Sequence, residues 1–153
     1  MDDLRETLVG LFTEIAIVEH LARTRLENTR MNNGTGDGMP AASFGILNYF
    51  IRNHEGPDTV AGIAWAFQDP ELLVQQRVEL LAEQGYVAII PAVGNGQPLV
   101  SVTDAGRVAH DEALDVVGPE IMELVAEIPR DDLERTFRTL REIRLTLDNL
   151  PDR

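Results

Sequence analysis

A chain of 153 residues, 44% of them hydrophobic, is long enough for one domain with helical extensions and can bury a sizeable core. Thirteen arginines and no lysine stand against 26 acidic residues, a formal charge of −13, so any nucleic-acid contact depends on where the arginines lie. The absence of cysteine excludes a disulfide framework, a thiolate metal site and a cysteine nucleophile, and His20, His54 and His110 share no ligand spacing.

No run of about 18 apolar residues is present to span a membrane. The start, Met1-Asp2-Asp3, is acidic where a signal peptide is basic. The expectation is a cytoplasmic protein with no membrane partner.

From Asp2 to about Arg30, Leu4, Leu8, Leu11, Ile15, Val18 and Ala22 recur at steps of four and three, a coiled-coil-like seam. Val9, Phe12, Ala16 and Ile17 widen it beyond what one neighbouring helix covers, so a second copy of the chain is a candidate to bury it. Asn32 to Gly38 holds three glycines among short polar residues and reads as a flexible loop. It lacks the Gly-Lys-Ser/Thr of a phosphate loop.

Ala41 to His54 is the next helix, with Phe44, Leu47, Phe50 and Ile51 on one face. A short helix follows at Thr59–Phe67, capped by Asp58 or Thr59 and buried through Val60, Ile63, Ala64 and Phe67. Trp65 lies off that stripe and reads as half-buried against a neighbour. Asp69-Pro70-Glu71 spells a helix start, with Asp69 as N-cap and Pro70 first in the helix. That helix, Pro70–Gln84, is expected to bury Leu73, Val74, Val78 and Leu81 and to end at Gly85 in a left-handed cap.

Tyr86–Pro91 and Gln97–Val102 read as two strands around an Asn95-Gly96 hairpin signal, with Pro98 marking an edge. Thr103 caps a further helix that Gly118-Pro119 should kink or break. A last helix, Asp132 to about Asn149, carries Leu133, Phe137, Leu140, Ile143, Leu147 and Leu150 on one side. Arg135, Arg138, Arg141 and Arg144 lie among acids on the rest, most simply a solvated face.

Helix, turn, helix and hairpin in this order make a winged helix-turn-helix, which places its second helix in the DNA major groove. Leu80-Leu81-Ala82-Glu83-Gln84-Gly85-Tyr86-Val87 and Val102-Thr103-Asp104-Ala105-Gly106-Arg107, in this order and at this spacing, resemble the MarR family of bacterial transcriptional regulators. The resemblance covers essentially the whole chain. It implies a mainly α fold with a small β-hairpin wing, a single domain over 1–153. Within it, 40–102 would form the winged helix-turn-helix, and 1–31 with 103–153 would form the helical dimerisation region.

The resemblance further implies a homodimer on duplex DNA, released or modulated by a small aromatic or phenolic effector held among helices one, two and five. Carried over by position, Leu72, Gln75 and Gln76 face the groove, Arg77 lies near the DNA backbone or is buried on its stem, and Asn95 and Gln97 lie on the wing. Glutamine can read adenine through N6 and N7.

The chain departs from the family where the family's wing carries an arginine for the minor groove. Here Ala92 to Gln97 has no charge. From Pro40 to Val102 only Arg52 and Arg77 oppose six carboxylates, a net charge of −4, so DNA electrostatics should be weak. The competing reading is a winged-helix protein that has given up DNA and binds protein. Acidic clusters at Asp111, Glu112, Asp115 and at Asp131, Asp132, Glu134 come without a nucleophile–base pair or metal spacing. The chain is therefore not expected to be an enzyme, and no catalytic residue, metal or cofactor is assigned.

Overall fold

The structure, a computed structural model, describes residues 2–32 and 39–149. Among these, six α-helices and one two-stranded antiparallel sheet follow in the order α1 (Asp2–Asn32), α2 (Ala41–Asn48), α3 (Val60–Phe67), α4 (Glu71–Glu83), β1 (Val87–Ile90), β2 (Leu99–Val102), α5 (Asp104–Leu124) and α6 (Arg130–Asp148). The expected glycine-rich loop lies outside the described residues, apart from Asn32, which ends α1. No described helix is long and apolar enough to cross a membrane.

The chain divides into two compact units between Val117 and Gly118. The core belongs to the first unit: Ile46, Leu47 and Phe50 meet Ile63 and Ala64 of α3, Val74, Val78 and Leu81 of α4, and Val87 and Val100 at the base of the hairpin. Leu73, expected inside, is 37% exposed, and Phe67 is 41% exposed. The buried stripe of α4 therefore follows Val74, Val78 and Leu81 at steps of four and three, one residue past Leu73.

Local chemistry sets most boundaries. The α2 helix continues into a π-helical turn, Tyr49–Asn53, which carries the backbone to His54. Thr59 caps α3 by accepting the Gly62 N–H at 3.0 Å, which settles the choice between Asp58 and Thr59. The α4 helix closes in a Schellman arrangement: Tyr86 N–H donates to Leu81 O at 2.9 Å and Gly85 N–H to Ala82 O at 3.0 Å, with Gly85 at φ 77°.

Two expectations are corrected and a third is narrowed. Asp69 is not the N-cap of α4; Pro70 holds that place without a side-chain bond, because Arg77 occupies the Asp69 carboxylate. Of the kink or break expected at Gly118-Pro119, the break does not occur: α5 runs on to Leu124 although Pro119 has no N–H to donate. Trp65, expected half-buried, is 45% exposed.

The hairpin forms as expected, with Val87 opposite Val102 and Ile90 opposite Leu99. Its turn uses Gly94, at φ 62°, for the left-handed step, and Gly96 N–H returns to Val93 O at 3.1 Å. The Asn95-Gly96 pair sits inside that turn without a left-handed asparagine. Asp58 pairs with β2 in an isolated one-residue bridge: its N–H donates to Val100 O at 3.0 Å, and Val100 N–H to Asp58 O at 2.7 Å.

Thr103 and Gly106 explain why the post-wing block has its spacing. Thr103 accepts the Gly106 N–H at 3.0 Å as a helix cap and donates its hydroxyl to Gly85 O at 2.6 Å. A Cβ at Gly106 would stand 2.0 Å from Tyr86 O. Only glycine lets the start of α5 lie against the chain leaving α4.

Candidate nucleic-acid interface

The α3–α4 unit is a helix-turn-helix, and the turn between its helices is tightly specified. Gln68 ends α3 in the left-handed region at φ 53°, with its N–H donating to Trp65 O at 3.2 Å. Asp69 N–H donates to Ala64 O at 3.1 Å. Pro70 then starts α4, where its missing N–H costs nothing.

With Val74, Val78 and Leu81 turned inward, the opposite face of α4 must point away from the core. Leu72 is 69% exposed, Gln75 and Gln76 are exposed, and Leu80 is 44% exposed. Leu72, Gln76 and Leu80 stand four residues apart and so share one line along the helix. Sequence reasoning passed over Leu80; its spacing from Leu72 and Gln76 was the signal that could have found it. Gln75 lies on the adjacent line, where its Nε2 donates to Glu79 Oε1 at 3.0 Å.

Arg77 behaves differently from its neighbours. It is half-buried and donates through Nη1 to Asp69 Oδ2 at 2.6 Å. Of the two places the resemblance allowed it, the structure gives it the inner one.

The hairpin projects beyond the core. Only Val87 and Val100 are buried, whereas Ile89, Ile90 and Leu99 are 37–44% exposed and Val93 is 90% exposed. Asn95 and Gln97 lie in the exposed, uncharged loop between the strands. The structure thus presents Leu72, Gln75, Gln76, Asn95 and Gln97 to solvent on α4 and the hairpin, and withholds Arg77.

The charge on this surface remains adverse to phosphate. Arg77 is already neutralised, and Glu71, Glu79 and Glu83 are exposed along α4. The α4 N-terminus offers an anion little, with a proline at the cap and carboxylates at Asp69 and Glu71. Among the described residues there is no group of three or more His, Asp or Glu side chains placed to hold a metal ion.

No protein-family model and no curated protein matches the sequence. Solved structures do match. The transcriptional regulator BldR from Sulfolobus solfataricus aligns at a TM-score of 0.71 with 20% identity, over 94% of this chain and 97% of its own. A MarR-family transcriptional regulator from Rhodococcus sp. RHA1 aligns at 0.67 with 19% identity, over 85% and 90%.

The fold is the MarR fold.

CouR from Rhodococcus jostii RHA1, solved bound to p-coumaroyl-CoA, aligns at 0.64 with 19% identity over 85% of this chain and 88% of its own. In the MarR fold of this chain, α5 meets the end of α2 through the fully buried His110. His110 Nε2 lies 3.0 Å from Asn48 Oδ1, and the imidazole stacks on Phe44 at 4.9 Å, nearly parallel. Among the described residues, an open apolar groove on α1 is lined by Leu4, Leu8, Val9, Phe12 and their neighbours. As far as the described residues go, this is an open helix face, not a closed ligand cavity.

Proposed function

We propose that this chain is a homodimeric transcriptional regulator that reads duplex DNA with α4 in the major groove and the hairpin alongside. The observation that carries this reading is the outward line Leu72, Gln76, Leu80, with Gln75 beside it, on a helix whose other face is locked into the core. Such a helix is rigid enough to place side chains on base edges. The likeness to solved regulators supports it. The α1 face supports the dimer, because Leu4, Val9, Val18 and Leu21 are each at least 60% exposed, more apolar surface than a lone helix leaves in water.

A small-molecule effector, aromatic or phenolic, completes the proposal; the ligand of CouR supports that class. A cytoplasmic setting accords with DNA as partner.

The test is enrichment of duplexes from a randomised library by the full-length protein, followed by anisotropy titration of the enriched duplex. Saturable binding by a dimer with a shallow salt dependence is the expected result. No enriched duplex at micromolar protein and low salt would remove the DNA reading. One observation favours a second reading in that event: the exposed part of α4 is acidic and apolar, with its single arginine internally paired, which suits a protein partner.

A further inference from the structure

Asp69 and Arg77 are eight residues apart, too far for a pair along one helix, yet their side chains meet at 2.6 Å. Both are mostly covered, at 25% exposure for Arg77 and 29% for Asp69. Asp69 stands in the turn, where its own N–H is fixed to Ala64 O of α3 at 3.1 Å. Its carboxylate reaches the middle of α4. One residue therefore ties α3 through its backbone to α4 through its side chain, next to the left-handed Gln68.

Arg77 is also the only cation α4 carries. A guanidinium held by a carboxylate at this distance would have to abandon a charge-assisted bond to reach a phosphate. We propose that Arg77 is a positioning residue, not a DNA ligand: through Asp69 it closes the angle between α3 and α4, and uncharged side chains of α4 do the reading. The inference rests on the DNA-binding function proposed above, and its structural half can be tested without DNA.

The two roles predict opposite signs for one substitution. Asp69→Asn removes a negative charge beside the reading helix and frees Arg77. If Arg77 served phosphate, binding to the library-enriched duplex would strengthen; the positioning role predicts roughly tenfold weaker binding. Arg77→Gln is expected to weaken binding by a similar factor with the salt dependence unchanged. A lost phosphate contact would instead lower the slope of log affinity against log salt by about 0.9, or roughly 1.8 over two half-sites.

A third measurement separates this inference from the DNA reading. In thermal unfolding of the full chain, Asp69→Asn, Arg77→Gln and the double variant should lower the midpoint by nearly the same amount, since each breaks the same bond. Additive losses, tighter binding by Asp69→Asn, or a reduced salt slope in Arg77→Gln would each overturn the proposal. If no duplex is enriched, the DNA reading falls and the unfolding cycle alone decides the clasp.

Discussion

The Tyr49 hydroxyl donates to Asp58 Oδ2 at 2.7 Å, joining the π-helical turn after α2 to the residue that pairs with the wing. The other carboxylate oxygen of Asp58 accepts Thr59 N–H at 2.8 Å, and its backbone exchanges two hydrogen bonds with Val100. Asp58 thus holds three elements at once: the turn after α2, the start of α3 and β2. Tyr49→Phe removes one charge-assisted bond while keeping the ring that stacks on His54 at 5.2 Å. The expected cost is about 1–2 kcal/mol in urea unfolding. Amide exchange at Val100 should quicken more than at Val78, since the rung loosens and α4 does not. Equal exchange changes at both positions would dissociate Tyr49 from the wing.

Gly106 and Tyr86 set a second, stricter limit. Alanine is the better helix former, so Gly106→Ala on an open helix would stabilise by up to about 1 kcal/mol. Here the new methyl would meet a backbone carbonyl at 2.0 Å, and a main-chain oxygen cannot rotate aside as a long side chain would. The net effect should be a loss of about 1–3 kcal/mol, from forced separation of α5 from the end of α4. A chemical denaturation midpoint at or above the parent value would mean that α5 starts elsewhere.

Thr103 offers a companion measurement. Thr103→Ala removes both the cap on Gly106 N–H and the bond to Gly85 O. A loss of about 1–2 kcal/mol is expected by urea unfolding, at the upper end for one N-cap because two bonds go. Thr103→Ser keeps both bonds and should recover most of it. If serine behaves like alanine, the methyl rather than the hydroxyl matters.

Local signals carried much of this fold. Gly85 after an apolar-periodic helix, Thr103 three residues before Gly106, and glycines between two β-rich runs each have a short-range cause that a sequence displays. What escaped depends on partners distant along the chain. Asp69 looks like an N-cap because the residues after it spell a helix, and nothing nearby announces that Arg77 competes for the carboxylate. The Asp58–Val100 rung is likewise tertiary. The site was legible only as a face: spacing shows which residues of α4 point outward, while the pairing of Arg77 and of Gln75 needed coordinates.

The α1 face yields a direct prediction about assembly. Phe12 is 49% exposed, with Leu8 and Val9 beside it at 44% and 61%, on the seam expected to meet a second copy. Phe12→Glu would place a carboxylate in that interface, where burial without a partner costs several kcal/mol. Sedimentation should show the parent as a dimer and the variant as a monomer at micromolar concentration. A dimeric variant with unchanged affinity would move the interface off this part of α1.

Gln75 and Gln76 were equivalent in the sequence, and the structure separates them. The Gln75 amide already donates to Glu79 at 3.0 Å, whereas the Gln76 side chain makes no hydrogen bond among the described residues and lies between the exposed Leu72 and Leu80. To read adenine, a glutamine must offer its carbonyl and its amide together. Gln75 would first have to release Glu79 and would then bring that carboxylate towards the DNA. Gln76 is already placed to offer both groups, with apolar neighbours able to meet a thymine methyl. Gln76→Ala should therefore weaken the enriched duplex by about 1–3 kcal/mol and relax preference at one base pair per half-site. Gln75→Ala should cost less than half as much. Anisotropy titrations against the duplex and its single-base variants give both numbers, and the reverse ranking would assign the reading to the line of Gln75 and Glu79.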